Sequence, residues 1–297
     1  MKDKPLAILE APSVLGLFPR GVERLPDALL AAGLDRLLGA TRAGRVAPPA
    51  YDPVRDPKTL LLNPRGIADY SMALAGKISS LLDDGTIPVV LGGDCSIVLG
   101  CLLALKRRGR YGLLFLDGHA DFYQPEAEPN GEAASMDLAL ATGRGPPVVT
   151  DIEGSRPLVR EEDVVVLGRR DNDEAEKHGS QRIEDTAIEV LDLDAVRSLG
   201  IDAVAARAAE RLSDRGLAGF WVHLDADVLD DAIMPAVDYR MPAGLSWDEL
   251  TAVLRASMAT GRVSGVDITI FNPTLDGDGA IARRFVDCLA RGLGRQS

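Results

Sequence analysis

Short, almost uninterrupted apolar runs alternate along the chain with segments whose apolar residues recur at helical spacing. The apolar runs cover residues 6–9, 87–91, 113–116, 164–167, 187–191, 220–224 and 263–270. Strands without polar alternation are typical of a parallel sheet that is buried on both faces. Helical spacing covers residues 69–82, 195–212 and 280–293, and Ser246 with Glu249 forms a capping-box pattern at the start of another helix. The pattern predicts an α/β fold with a mainly parallel sheet and helices on both faces.

Two segments rich in proline, glycine and charge, residues 124–132 and 143–160, interrupt this alternation. We interpret them as long surface loops rather than domain linkers, so residues 1–297 are expected to form a single domain. Loops at the carboxyl ends of parallel strands are where such folds place their active sites.

Composition narrows the class of protein. The formal net charge of −12 argues against a nucleic-acid partner, which would require a basic surface. No apolar run reaches roughly 18 residues, so no membrane span is predicted. The first residues lack the pattern of a signal peptide, and three cysteines are too few for a disulfide scaffold. We therefore expect a reduced, cytoplasmic enzyme with a small-molecule substrate.

Polar clusters follow three of the predicted strands. They are Gly92-Gly93-Asp94-Cys95-Ser96, Asp117-Gly118-His119-Ala120-Asp121 and His223-Leu224-Asp225-Ala226-Asp227. In the second and third clusters the polar residues alternate, and extended chain directs alternate side chains to one face. A single Asp-x-Asp is usually solvated, but two at the ends of buried strands favour convergence. Carboxylates that converge without basic partners require cations, and mixed oxygen and nitrogen ligands suit a first-row divalent metal such as manganese.

These three motifs, in this order, resemble the metal motifs of the arginase/agmatinase/formiminoglutamase (ureohydrolase) superfamily. Gly21-Val22-Glu23 with Pro26, and Asp267-Ile268 with Asn272-Pro273, are similar to further family motifs. The resemblance implies a single arginase-like domain with a three-layer α/β/α fold, assembled as a trimer or hexamer. It also implies hydrolysis of a C–N bond in a linear amidine by a hydroxide that bridges two metal ions, usually Mn²⁺.

The resemblance assigns a role to each matching side chain. It implies that Asp117 and Asp225 bridge the two metals. Asp121 would bind the first metal and hydrogen-bond the hydroxide, as a catalytic residue. His119 and Asp227 would complete the ligands of the second metal.

Several positions depart from the family pattern. Cys95 stands where the family usually has a histidine ligand; a thiolate there would favour zinc, iron or cobalt, and a neutral thiol would only pack. A cysteine at this place also resembles a small branch that hydrolyses N-hydroxyarginine.

Ala134 stands at the position of the proton-shuttling histidine, and Ile270 at that of a glutamate that binds guanidinium. His223 should share the ligand face, either as a catalytic proton shuttle or outer group of the metal site, or as a buried histidine bonded to a backbone carbonyl.

An acidic segment after the strand at 164–167 bears on the substrate. Asp171, Asp173 and Glu176 resemble the acids with which arginases hold the α-ammonium group of their substrate. The alternative is that this acidic segment is a solvated turn with no role in binding. Arg169 and Arg170 would pair with a substrate carboxylate or merely with these acids.

The sequence thus predicts a metal-dependent hydrolase of a guanidino or N-hydroxyguanidino amino acid. Two alternatives remain open. Cys95 would be a nucleophile if it had both a neighbouring base and a lowered pKa. A metal-binding or regulatory subunit would result if the changes at Ala134 and Ile270 had abolished catalysis.

Overall fold

One sheet of eight strands organises the chain in this computed structural model, which describes residues 4–171, 177–214 and 216–294. The strands are β1 (Leu6–Glu10), β2 (Thr41–Arg45), β3 (Ile87–Leu91), β4 (Gly112–Leu116), β5 (Val164–Leu167), β6 (Glu189–Leu191), β7 (Phe220–Asp225) and β8 (Val263–Thr269). Their order across the sheet is β2-β1-β3-β8-β7-β4-β5-β6, and each pair of neighbours is parallel.

Ten α-helices lie in the described ranges. They are α1 (Leu25–Ala31), α2 (Leu34–Leu38), α3 (Pro64–Asp83), α4 (Val98–Lys106), α5 (Asp137–Ala141), α6 (Pro147–Thr150), α7 (Leu193–Leu199), α8 (Ile201–Leu212), α9 (Trp247–Ala259) and α10 (Ala280–Leu293). None of the helices described here has the length and apolar character needed to cross a membrane.

The core consists of two apolar clusters, one on each face of the sheet. Successive residues of β4 alternate between them: Leu114 and Leu116 join one cluster, whereas Leu113 and Phe115 join the other. The first cluster includes residues of α1, α2 and α7 to α10, and the second includes residues of α3, α4 and α5. These three layers confirm the predicted α/β/α fold, and burial on both faces explains why most strands are uniformly apolar.

The structure also corrects some element boundaries. The predicted helix at 195–212 is two helices, because Gly200 adopts a φ of +84° between them. Helix α3 begins five residues before its periodic pattern, at Pro64, where proline is favoured because the first helical N–H has no partner. The segment 143–160 is not a plain surface loop, since it contains α6 and buries Val149 and Leu158.

The order of the strands in the sheet determines where the site lies. Strands β3, β8, β7 and β4 are consecutive neighbours at the centre of the sheet, so their carboxyl ends lie side by side. The polar motifs at residues 92–96, 117–121 and 223–227 follow or end three of these four strands. Active sites in open parallel sheets lie at this edge.

Candidate metal centre

A cleft of about 580 Å³ opens at the carboxyl edge of the central strands. Its wall includes five of the six side chains predicted to bind metal, and Asp117 is completely buried beside them. Those five are Cys95, His119, Asp121, Asp225 and Asp227. The structure therefore brings together at one place the polar residues of all three motifs.

The loop after β3 is held by its glycine and aspartate residues. A Cβ on Gly93 would lie 1.9 Å from the carbonyl oxygen of Ser13, so only glycine permits this approach. The carboxylate of Asp94 accepts hydrogen bonds from the Ser96 backbone N–H (2.9 Å) and the Ser13 hydroxyl (3.2 Å). These contacts fix the start of the following turn and direct Cys95 towards the cleft.

One group of potential ligands consists of Asp117, His119 and Asp227. Nδ1 of His119 lies 2.9 Å from Oδ2 of Asp227 and 3.6 Å from Oδ1 of Asp117. The backbone N–H of Gly118 donates to Oδ1 of Asp227 at 3.0 Å, which holds the two loops against each other. One ligand atom from each of the three side chains lies within 4.8 Å of the other two.

A second group consists of Cys95, Asp117 and His223, whose ligand atoms also lie within 4.8 Å of one another. The Cys95 thiol donates to Oδ2 of Asp225 at 2.9 Å and lies 3.1 Å from the Thr269 hydroxyl. Burial, with help from the Asp225 carboxylate, raises the pKa of Cys95 well above its ordinary value. A protonated thiol fits this environment, which argues against an activated nucleophile at this position.

His223 is completely buried in β7, and it is not bonded to a backbone carbonyl as one of the sequence-based alternatives expected. Its Nδ1 lies 2.6 Å from Oδ2 of Asp267, and its ring stacks on Phe115 with centroids 4.6 Å apart. Its Nε2 is buried and has no hydrogen-bond partner among the residues that the structure describes.

Buried carboxylates dominate the electrostatics of the site. Burial, and then the charge of Asp227, raises the pKa of Asp117 to about 6. Burial and neighbouring carboxylates likewise raise the pKa of Asp121 and of Asp225. Although burial opposes its charge, the nearby carboxylates of Asp227 and Asp117 raise the pKa of His119.

The donor set fits divalent cations. Oδ2 of Asp117 and Nε2 of His223 are buried without partners, and such atoms are costly unless something binds them. Asp117 belongs to both ligand groups, which suits a carboxylate shared by two ions. Oxygen and imidazole donors suit manganese and similar metals.

The two remaining departures from the family pattern both face the cleft. Ala134 and Ile270 line it together with the ligand residues. Ile270 has a φ of +67°, which is unusual for a β-branched residue, and its N–H donates to the Gly93 carbonyl at 2.8 Å. The cleft is therefore apolar at both positions.

The acids predicted to bind substrate are only partly accounted for. Asp171 lines the cleft, but its carboxylate accepts from the Ala120 N–H at 3.0 Å and pairs with Arg169 at 2.6 Å. Asp173 and Glu176 lie outside the described residues. Arg169 forms ion pairs with Asp171 and Glu184. Of the two roles that the sequence suggested for it, this is pairing with nearby acids.

Among the described residues, Arg170 bonds to backbone carbonyls and forms no ion pair. Its guanidinium donates to the backbone carbonyls of Asp227 and Met241, at 2.7 and 2.9 Å. It thereby fixes the loop that follows β7. Pairing of Arg170 with a substrate carboxylate or with the predicted acids stays a prediction.

Two features of the site were missed from the sequence. Asp137, at the start of α5, is completely buried with both carboxylate oxygens unpartnered, and burial and the Asp117 charge raise its pKa. An unpaired aspartate within the apolar run of α5 was the available signal. Glu132 and Tyr239 form a hydrogen bond of 2.6 Å in the cleft wall, and neither belongs to a recognisable motif.

Comparison with known proteins gives a consistent result. The model of the arginase family matches residues 4–291. An arginase of Staphylococcus aureus (strain COL) is 30% identical over 301 residues, covering 99% of this chain and 98% of that protein. The solved structure of the arginase from Bacillus caldovelox superimposes with a TM-score of 0.90 at 28% identity, covering 99% of each chain. That of the Bacillus cereus arginase gives 0.88 at 27% identity, covering 99% of this chain and 100% of the other.

Proposed function

The chain belongs to the arginase family, and from this membership we propose that it hydrolyses a C–N bond of a guanidino or N-hydroxyguanidino amino acid. The observation that carries the proposal is the convergence of Asp117, His119, Asp121, Asp225 and Asp227 at one edge of the sheet, beside a cleft. The alternative of a catalytically impaired metal-binding or regulatory subunit is not favoured, since this acidic set is complete and buried.

We propose that the site holds two divalent metal ions, with Mn²⁺ as the expected metal. Asp117 and Asp225 would contact both ions, His119 and Asp227 the second, and Asp121 the first. Paired divalent ions lower the pKa of water and so supply a nucleophile at neutral pH. The buried, unpartnered oxygen of Asp117 supports this assignment.

The protein's own residues provide the proton chemistry and the surroundings. Asp121 faces the cleft, where its carboxylate would accept a proton from the attacking water. Water oxygen would attack the central amidine carbon, the C–N bond would break, and the amine would leave with a proton. From N-hydroxyarginine and water, the products would be ornithine and hydroxyurea.

The apolar positions favour a less basic substrate. Ile270 cannot pair with a guanidinium cation, and Ala134 cannot donate a proton to a leaving amine. A hydroxyguanidine is less basic than a guanidine. Its binding therefore depends less on a carboxylate at position 270, and its hydrolysis depends less on a proton donor at position 134. We therefore propose that N-hydroxyarginine is a better substrate than arginine.

The test is an assay of the purified, Mn²⁺-loaded protein with arginine, N-hydroxyarginine and agmatine. We expect release of ornithine, with the highest kcat/KM for N-hydroxyarginine, and loss of turnover in Asp121→Asn. If the loaded protein releases neither ornithine from the amino acids nor putrescine from agmatine, the proposed activity is wrong. If arginine is turned over as fast as its hydroxylated form, the preference is wrong.

Other predictions accompany this proposal. A single domain over the whole chain, a cytoplasmic location, and a trimeric or hexameric assembly stay predictions. Zinc, iron or cobalt remain the expected metals if Cys95 is a thiolate ligand.

A further inference from the structure

We propose that Nε2 of His223 is a ligand of the first metal ion and replaces the histidine nitrogen that is missing at Cys95. This inference rests on the proposed metal-dependent function and names a ligand to which the family resemblance assigns no role, although His223 begins the third polar cluster. The observations concern the orientation of His223, its unpartnered nitrogen, and the existing bonds of the Cys95 thiol.

The sheet register fixes the orientation of the His223 ring. His223 pairs with Asp267 of β8 on one side and with Phe115 of β4 on the other, so all three share a face. The carboxylate of Asp267 contacts Nδ1 at 2.6 Å and also accepts from Nε1 of Trp221 at 2.6 Å, while the Phe115 ring stacks on the imidazole.

This arrangement is the one that metal-binding histidines use. A carboxylate that accepts from one ring N–H holds the imidazole in the tautomer whose other nitrogen carries a lone pair, and it makes that nitrogen more basic. When Nδ1–H donates to Asp267, the neutral imidazole carries its lone pair on Nε2, where an ion would bind. The imidazole is completely buried, and no other group in the described residues satisfies Nε2.

The position of Nε2 fits a ligand of the first metal. A ring nitrogen of His223, a carboxylate oxygen of Asp117 and Sγ of Cys95 lie within 4.8 Å of one another. Asp267 holds Nδ1, so Nε2 is the ring nitrogen that is left to bind an ion. Ligand atoms bound at about 2.0–2.3 Å to one ion lie at most about 4.6 Å apart, so only a small closure is needed. The unpartnered Oδ2 of Asp117 offers a second donor to the same ion.

Cys95 is already engaged in another way. Its thiol donates to Asp225 at 2.9 Å and lies 3.1 Å from Thr269, so ligation by sulfur would break a buried hydrogen bond. His223 loses no bond when Nε2 binds a metal. The proposed nitrogen ligand thus comes from strand β7 instead of the turn after β3, and β8 lies between these two strands in the sheet.

Metal content measured on single-residue variants tests the proposal. Wild-type protein, His223→Gln, Cys95→Ser and His178→Gln would be loaded with Mn²⁺, dialysed and analysed by mass spectrometry of the metal, with circular dichroism as a check of folding. His178 is exposed and lines the outer part of the same cleft, so it controls for the loss of a histidine that is not proposed as a ligand. We expect two ions per chain in the wild type, Cys95→Ser and His178→Gln, and one in His223→Gln.

Nuclear magnetic resonance of the wild type keeps the test valid if the His223 variant does not fold. The chain has three histidines, so the ring nitrogens of a ¹⁵N-histidine sample can be assigned individually. On titration with Zn²⁺ we expect Nε2 of one buried histidine to shift as a bound nitrogen, while its Nδ1 remains protonated.

The outcomes separate this inference from the proposed function. If His223→Gln retains two ions and Nε2 does not respond to Zn²⁺, His223 is not a ligand, whatever the activity. If Cys95→Ser instead loses one ion, sulfur is the ligand and the inference is overturned. If the wild type binds no metal at all, the proposed metal-dependent function itself fails.

Discussion

At the scale of single residues, the sequence predicts departures from the family pattern at three side chains: Cys95, Ala134 and Ile270. All three line the same cleft as the aspartates and His119. The wall therefore combines a dense group of carboxylates at the metal end with apolar surface where substrate charge would be recognised. Ala134 and Ile270 can be replaced without removing a hydrogen bond to a carboxylate, whereas the Cys95 thiol donates to Asp225.

A carboxylate at position 270 should restore binding of a charged guanidinium. We expect Ile270→Glu to lower KM for arginine by about tenfold, because an ion pair in a partly enclosed cleft contributes roughly 1.4 kcal/mol or more. N-Hydroxyarginine, being less basic, should gain less. The measurement is kcat/KM for both substrates, with Ile270→Gln as an uncharged control of similar size. An equal gain in the Gln variant would contradict the electrostatic explanation.

A proton donor at position 134 should accelerate departure of the amine. Ala134 is buried in the cleft wall, and its N–H donates to the Gly16 carbonyl at 3.1 Å, so its backbone is fixed. We expect Ala134→His to raise kcat for arginine by about tenfold or more, since positioned proton donors contribute roughly 10²–10⁴-fold. The rate should also fall at high pH as the imidazole loses its proton. Ala134→Gln, which cannot titrate, serves as control, and a matching increase there would rule out proton donation.

At the scale of secondary structure, the strands that the sequence predicts well are those that are buried on both faces of the sheet. Strands at the centre of the sheet are covered on both faces, so β3, β4, β5 and β7 read as apolar runs and were predicted closely. Strand β2 was missed because it lies at the edge, is mostly exposed and contains Thr41, Arg42 and Arg45. Strand β8 ends one residue early, because Ile270 leaves the extended region.

Within the site, the contacts that one segment determines could be predicted, whereas those that depend on the tertiary structure could not. Alternation after β4 and β7 predicted which residues converge, because it depends only on the geometry of one extended segment. The contact between His223 and Asp267 depends on the register of two strands about forty residues apart, which no local pattern encodes. Asp137 approaches the site through the packing of α5, so its position likewise required the tertiary structure.

The capping box of α9 gives a prediction at this scale. The Ser246 hydroxyl accepts from the Glu249 N–H at 3.2 Å, and the Glu249 carboxylate accepts from the Ser246 N–H at 2.8 Å. Ser246→Ala should lower the free energy of unfolding by about 1 kcal/mol. Urea denaturation measures this change, and Ser198→Ala, an exposed serine that caps no helix start, should change stability by less than about 0.5 kcal/mol. Equal effects of the two substitutions would contradict the capping role.

At the scale of the whole molecule, a net charge of −12 coexists with a buried acidic cluster at the centre of the sheet. Most carboxylates can stay at the surface, where water solvates them. Those of the cluster cannot, and their raised pKa values mean that the fold opposes their ionisation. Stability and metal binding are therefore linked in this protein.

This linkage predicts how the stability of the metal-free protein depends on pH. Asp117 has a folded pKa of about 6 against an ordinary value of 3.8, so between these values the folded chain binds more protons than the unfolded chain. The stability of the metal-free protein should consequently fall as pH rises through this range. His119, whose pKa is also raised, acts in the same direction above its unfolded value. Asp227, whose pKa is lowered, acts oppositely but only near and below its ordinary value.

Thermal unfolding of the chelator-treated protein at about pH 5 and about pH 7.5 measures this effect, and we expect the lower Tm at the higher pH. Bound metal should reverse the order, because cations compete with protons for the same carboxylates; each ion at about 100 times its Kd adds about 2.7 kcal/mol. Asp117→Asn should flatten the dependence in the metal-free protein by removing the shared carboxylate. A metal-free wild type that is more stable at pH 7.5, or an unchanged pH dependence in Asp117→Asn, would mean that some other charge governs the stability of the fold.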